Sequence, residues 1–370
     1  MTDPDLDPTT VRQRQITFKR NGHINYFLRS LRALPTAAQG SDSNRITAAF
    51  FCISGLDLLG ALDEKTTREQ RDGWIDWIWS LQAPTGGFRG STFMTTFNDK
   101  TSSAHIPSTY TALMSLAILR APLDRLDIPG LINFLKSCQA KDGSFSPVPG
   151  DDIYPNEGFQ SDVRISYCAS VISDIIGDFS GIDIDLAKSF IGRCKTWEGA
   201  YASRPGVVEA QGGTTYCSLA TQSILDRHTQ TRPEYQISPQ ETLRWLISRQ
   251  IGGFQGRPGK LEDVCYSFWC GGAISILGHS NLINRDADRT FLLSAQFPLG
   301  GFGKEPEDYP DPFHSYLALA ALSLTQSEID AKDDNDGLGL KALDVTWNVS
   351  LETAQWLKDE ILRVKGQVYV

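Results

Sequence analysis

Three side chains of this 370-residue chain, Asp263, Cys265 and His314, have the types and spacing to hold a metal ion. Asp263 and Cys265 lie two apart in GRPGKLEDVCYSFW, and His314 follows in DPFHSY. A carboxylate, a thiolate and an imidazole that leave one position open form the donor pattern of catalytic rather than structural zinc. Inside a helix, residues two apart point away from one another. At a helix N-terminus, however, the aspartate can sit outside helical dihedrals and turn back. Each residue also has a plainer reading: an N-cap for Asp263, a small buried apolar group for Cys265, a hydrogen-bonded core histidine for His314. Arg257 and Lys260 stand in the glycine-rich turn ahead of Asp263, and Lys304 stands in the next such turn. Cations on loops beside helix N-termini suit a diphosphate, because unpaired N–H groups and the helix dipole both attract anions. The plainer reading of each lysine is a solvated basic turn.

The elements that must position these residues come from an internal repeat. An amphipathic segment, a glycine turn and an aromatic recur at WIWSLQAPTGGF, FLKSCQAKDGSF, FIGRCKTWEGAY, WLISRQIGGF and FLLSAQFPLGGF. After each comes a segment apolar nearly all round that opens on a tyrosine: Tyr110, Tyr167, Tyr216, Tyr266 and Tyr316. A helix apolar on every face is buried, whereas one with a polar face lies at the surface. Together with an earlier pair around Ile24–Leu31 and NRITAAFFCISGLDLL, the pattern predicts six outer and six inner helices. Their burial is best met by closure into an α-α barrel, an all-α toroid; an open solenoid is the alternative. Strand alternation has little support.

Laid over one another, the repeats place Thr109, Ser166, Thr215, Cys265 and Ser315 directly before the inner tyrosines, and cysteine is the odd one out. Asp263, Cys265 and His314 then converge where neighbouring inner helices begin. We read residues 1–370 as one barrel domain, with an acidic tail over 1–12, a solvated acidic loop over 326–346 and a closing helix over 351–364. Irregular stretches at 90–107 and 147–162 also interrupt the pattern.

Composition narrows the partners. With 35 Lys and Arg against 44 Asp and Glu, the net charge of −9 disfavours nucleic acid and anionic membranes. An anionic ligand must therefore meet a local basic pocket. The 7 cysteines make an odd count without CxxC pairs, as expected of reduced thiols in a cytoplasmic protein. The N-terminus lacks the pattern of a signal peptide, the C-terminus lacks a lipidation signal, and no apolar run reaches the ~18 residues of a membrane span.

At GRPGKLEDVCYSFW and DPFHSY the chain resembles the beta subunits of protein prenyltransferases, most of all that of protein geranylgeranyltransferase type I, from about Asn44 to about Leu324. The resemblance implies an α-α barrel of the prenyltransferase and terpenoid cyclase type. It also implies an obligate heterodimer with a helical-repeat alpha subunit, and transfer of geranylgeranyl from its diphosphate to the cysteine of a C-terminal C-a-a-X motif. X would be Leu or Phe, and the protein substrates would include small GTPases. Position by position, it makes Asp263, Cys265 and His314 zinc ligands. Arg257, Lys260 and Tyr266 become diphosphate contacts, with Gln211 where the family has histidine. A glutamine donates an N–H but carries no charge. Trp269 and Tyr167 line the isoprenoid tunnel with Thr47 and Leu317, two positions where farnesyltransferases carry bulkier side chains. Lys304 replaces a magnesium-binding aspartate, so that magnesium is not required. Arg164 and His105 fall in the peptide-binding region, and PVPGDDIYPNEGFQ before Arg164 is an insertion of unknown role.

Rival readings differ in what they need. Farnesyl and Rab-type geranylgeranyl transfer are alternatives within the family. A terpene cyclase needs an acidic motif facing the cavity, yet its candidates near Asp183 and at Asp333–Asp336 are predicted in outer or loop positions. A glycosidase needs paired carboxylates at inner helix starts, for which only Asp263 qualifies. A noncatalytic repeat scaffold would make the cysteine incidental.

Overall fold

The computed structural model describes residues 17–94, 104–149, 161–229, 239–326 and 338–368. The acidic tail, most of the insertion before Arg164 and the DDND run lie outside the described residues. In chain order the helices are α1 (Arg20–Arg32), α2 (Arg45–Leu58), the one-turn α3 (Leu62–Lys65), α4 (Arg68–Ser80), α5 (Ile106–Ile118), α6 (Ile128–Cys138) and α7 (Val163–Ile176). They continue as α8 (Ile184–Arg193), α9 (Gly212–Thr229), α10 (Pro239–Ile247), α11 (Val264–Ile276), α12 (Arg285–Ser294), α13 (Pro312–Thr325) and α14 (Leu351–Val368).

The inner helices α2, α5, α7, α9, α11 and α13 pack each against the next, and α13 packs back against α2. That last contact closes the ring and excludes the open solenoid. Each outer helix, α1, α4, α6, α8, α10 and α12, packs on the inner helix that follows it. Apolar burial on all sides drives this arrangement: Ala112, Leu113, Met114 and Leu116 of α5 have no exposed surface, and neither do Leu317, Ala318, Leu319 and Ala320 of α13.

The recurring glycine turns have one construction. Gln82, Gln139, Lys195, Gln250 and Gln296 each form a single antiparallel bridge with the turn aromatic Phe88, Phe145, Tyr201, Phe254 or Phe302. Two residues past that aromatic, a backbone carbonyl accepts an N–H from the start of the preceding inner helix. The pairs are Ile46 N with Gly90 O, Ile106 N with Pro147 O, Val163 N with Ser203 O, Gly212 N with Gly256 O and Val264 N with Lys304 O, at 2.8–3.1 Å. These bonds satisfy helix N–H groups that lack intrahelical partners, and they stitch neighbouring repeats together at one end of the barrel. Thr109, Thr215 and Ser315 accept the N–H of Phe88, Tyr201 and Phe302, so their hydroxyls are structural. At Cys265 that hydroxyl is replaced by a thiol.

The other end is closed, and here the expected solvated loop is corrected over 338–346. Although 327–337 lie outside the described residues, 338–350 form a plug with Leu338, Leu340, Leu343 and Trp347 buried. A hairpin of two-residue strands, β1 (Leu343–Asp344) with β2 (Val349–Ser350), shapes its tip. Four inner tyrosines donate their hydroxyls to its consecutive carbonyls: Tyr216 to Val345, Tyr167 to Thr346, Tyr110 to Trp347 and Tyr316 to Asn348, at 2.7–3.0 Å. Asp57, near the end of α2, anchors the plug through Lys341, Ser350 and Thr353. Helix α14 follows and extends past the expected 351–364 to Val368. Residues 338–346 read as loop because the hydroxyls that satisfy the carbonyls at the plug's tip come from helices far away in sequence.

Candidate metal centre and anion site

Helix α11 begins two residues later, relative to its tyrosine, than its neighbours. Tyr110, Tyr167, Tyr216 and Tyr316 are each the fifth residue of their helix, whereas Tyr266 is the third residue of α11. Asp263 therefore stands outside the helix, in extended conformation at φ −145 and ψ 130, where Arg164, Gly213 and Phe313 are helical. Its carboxylate accepts the Cys265 N–H at 2.9 Å and lies 3.5 Å from His314 Nε2. Asp263 is thus an N-cap and a member of the cluster at once, so the plain and the metal readings do not compete.

Single donor atoms of Asp263, Cys265 and His314 all fall within 4.8 Å of one another. Ligand atoms on a tetrahedral zinc stand roughly 3–4 Å apart, so a small contraction would seat the ion. Burial raises the Cys265 thiol well above its ordinary value, and the Asp263 charge adds to the effect. Burial pushes the His314 imidazole down, but hydrogen bonds and charge from Asp263 and Asp311 outweigh it and hold it up at about 9. Burial also works against an ionised Asp263, yet bonds from His314 and Cys265 keep its carboxyl below its ordinary value. Asp263 and Asp311 thus place two carboxylates beside the His314 imidazole, and their negative charge favours a cation at this point. The donor set fits a divalent metal, with a carboxylate, a thiol and an imidazole converging on one point.

Asp311 was missed in the sequence. It caps α13, its Oδ1 accepting the His314 N–H at 2.9 Å, while His314 Nδ1 donates to Oδ2 at 2.5 Å. Holding Nδ1 in this way leaves Nε2 facing Asp263 and the metal position. The signal was present in DPFH, an aspartate three before the histidine with proline at the helix start. Asp311 also corrects the statement that only Asp263 qualifies as a carboxylate at an inner helix start. Asp162 and Asp311 cap α7 and α13, but both stand five residues before their tyrosines rather than three. Each is tied to a neighbour: Asp162 pairs with Arg164 at 2.5 Å, and Asp311 bonds His314.

The residues expected to meet a diphosphate lie on the turns beside the start of α11. Gln211 Nε2 donates to the Tyr266 hydroxyl at 2.8 Å, so Tyr266 turns to this site rather than to the plug. The Lys304 carbonyl is fixed by the Val264 N–H, and the side chains of Lys260 and Lys304 are exposed. Arg257 lies on the same turn as Lys260 and pairs with Glu209, a second residue that sequence reasoning missed.

Trp269 is half-buried and packs on Tyr216 and on Phe313, which meets His314 edge-on and Phe51 in a T-shape. Phe50 is core, and half-buried Phe51 joins this aromatic wall. Thr47 is half-buried in the first turn of α2, Leu317 has no exposed surface, and Tyr167 is tied to the plug. Arg164 is an exposed side chain held by its own N-cap. His105 stands at the N-cap position of α5 without a capping side-chain bond, its Nδ1 3.3 Å from the Ser108 hydroxyl, and burial lowers its pKa. Asp183 caps the outer helix α8, away from the ring interior.

Residues 18–349 match the prenyltransferase alpha-alpha toroid domain. The geranylgeranyl transferase type-1 subunit beta of Arabidopsis thaliana is 33% identical, covering 88% of this chain and 89% of its own length. Its Dictyostelium discoideum counterpart is also 33% identical, over 80% of this chain and 88% of its own. Among solved structures, Candida albicans protein geranylgeranyltransferase-I complexed with GGPP superposes with a TM-score of 0.81 at 28% identity, covering 93% of this chain and 99% of that one.

Proposed function

The chain belongs to the prenyltransferase alpha-alpha toroid family, among protein prenyltransferases of the geranylgeranyl type-1 beta group, and from that premise we propose that it acts as a zinc-dependent catalytic beta subunit. Its donor would be geranylgeranyl diphosphate, and its acceptor the cysteine thiol of a C-terminal C-a-a-X motif ending in Leu or Phe. An alpha subunit would complete the heterodimer. The convergence of Asp263, Cys265 and His314 at the start of α11 carries the reading.

Zinc, when bound, would ionise the incoming thiol, since a coordinating thiol loses its proton outright. Asp263, Cys265 and His314 would hold the ion and leave one position for that thiol. Arg257, Lys260, Tyr266 and Lys304 supply positive charge and a hydroxyl where a diphosphate departs, and Gln211 fixes the Tyr266 hydroxyl. Fixed donors aimed at developing charge are usually the largest source of rate. Lys304, whose carbonyl accepts the Val264 N–H, would bring an ammonium toward this group, and turnover would then not need magnesium. Trp269, Phe313 and Phe51 would wall the prenyl chain, and Thr47 leaves room for a long one. Arg164 and His105 remain candidates for the peptide end, with Arg164 shared with Asp162. Among the described residues no helix is long and apolar enough to cross a membrane, and a cytoplasmic setting is our proposal.

Co-expression with a candidate alpha subunit, followed by transfer assays with geranylgeranyl and farnesyl diphosphate against peptides ending in Leu and in Met, tests this assignment. Geranylgeranyl transfer to the Leu peptide is expected. Preferential farnesylation of the Met peptide would overturn it.

A further inference from the structure

The anion site contains a carboxylate that nothing in the proposed reaction explains. Glu209 Oε2 lies 2.5 Å from Arg257 Nη1 across two loops, with the side chains 47% and 39% exposed. Both loops are held by the ring. The Gly212 N–H donates to the Gly256 carbonyl at 2.9 Å, and Gln211 bonds Tyr266 at 2.8 Å. Gly256 lies so close beneath the Tyr266 ring that an added Cβ would stand 2.3 Å from it. Glu209 is two residues before Gln211, and Arg257 directly follows Gly256, so the ion pair spans a rigid seam.

We propose that Glu209 is a positioning residue that aims the Arg257 guanidinium at the diphosphate. The inference rests on the reading of Arg257 as a diphosphate contact. An arginine on an exposed turn has many rotamers, and a fixed acceptor on one nitrogen selects among them. The guanidinium carries five N–H donors, so a contact to Nη1 through one carboxylate oxygen leaves donors for phosphate oxygens.

Simple electrostatics predicts the opposite sign. A negative charge beside an anion site repels the ligand, so its removal should tighten binding. If Glu209 aims Arg257, its removal weakens binding despite deleting that charge. The probe is inorganic pyrophosphate, titrated calorimetrically into the assembled heterodimer. Glu209→Ala is expected to weaken pyrophosphate on the order of 5-fold, near the most that an exposed ion pair contributes. Glu209→Gln keeps an acceptor oxygen for Nη1 and should retain wild-type affinity or better. In turnover, Glu209→Ala should raise KM for the isoprenoid diphosphate and lower kcat/KM, because Arg257 meets the diphosphate both before reaction and as charge develops on it. Bound zinc should not change.

A double-mutant cycle separates this inference from its premise. In an Arg257→Ala background, Glu209→Ala should cause no further weakening. Unchanged or tighter pyrophosphate binding in Glu209→Ala overturns the positioning role, as does equal weakening in both backgrounds. If Arg257→Ala alone leaves pyrophosphate affinity intact, the diphosphate assignment of Arg257 fails and takes the inference with it.

Discussion

Asp311→Asn is the most informative substitution at the candidate metal centre, because Asp311 uses its two oxygens for two different jobs. Oδ1 accepts the His314 N–H at 2.9 Å and caps α13, while Oδ2 accepts from Nδ1 at 2.5 Å. Asparagine has one oxygen for both. If the oxygen keeps the cap, the amide N–H₂ faces Nδ1, which must give up its proton, and the neutral imidazole then carries hydrogen on Nε2, the nitrogen meant for metal. If the amide turns over, Nδ1 keeps an acceptor and α13 loses a cap worth ~1 kcal/mol, about 5-fold. The first route forfeits a charge-assisted bond of ~1.5–3 kcal/mol, roughly 10- to 150-fold. We expect zinc affinity of the heterodimer to fall ~10- to 100-fold, the range seen for partners of metal-bound histidines. Chelator competition with a zinc indicator measures it, and turnover at saturating zinc should recover in large part. Affinity within about 3-fold of the unsubstituted chain would refute the reasoning, since the Nδ1 contact would then contribute nothing to ligation.

Further outcomes follow from other parts of the structure. Cys265→Ala should lose bound zinc and geranylgeranyl transfer together; full activity without metal loss would remove the metal reading. Lys304→Asp should make turnover depend on magnesium, and inactivity at every magnesium level would count against the ammonium standing in for an ion. Asp288 is buried in α12, with Ser267 donating to Oδ1 at 2.6 Å, and burial raises its carboxyl from 3.8 to about 7. Its neutral form is favoured in the fold. The resulting stability is therefore full below the unfolded value and is lost as pH rises through about 7. The loss is about 4 kcal/mol, from the shift and ~1.4 kcal/mol per unit. Asp288→Asn should consequently raise the melting temperature at pH 8 far more than at pH 5, and equal effects at both would show that the charge is not the cause.

The sequence by itself determined the ring of helices and the odd cysteine within it. Helical periodicity and all-round apolarity are local properties, repeated often enough that closure was the arrangement that buried every inner face. Cys265 stood out because Thr109, Thr215 and Ser315 keep hydroxyls that bond the turn aromatics. Tertiary structure alone decided where the remaining polar groups found partners. The four tyrosines were plain in the sequence, but the carbonyls of 345–348 that accept their hydroxyls come from a segment read as a solvated loop. Asp311 could be counted at an offset from its tyrosine, yet its second oxygen bonds His314 only once α13 has formed. Glu209 and Arg257 meet because two turns of neighbouring repeats are stitched at Gly212 and Gly256. Burial pattern follows from each segment's own side chains, whereas a hydrogen-bond partner depends on which distant backbone the closed ring brings within reach.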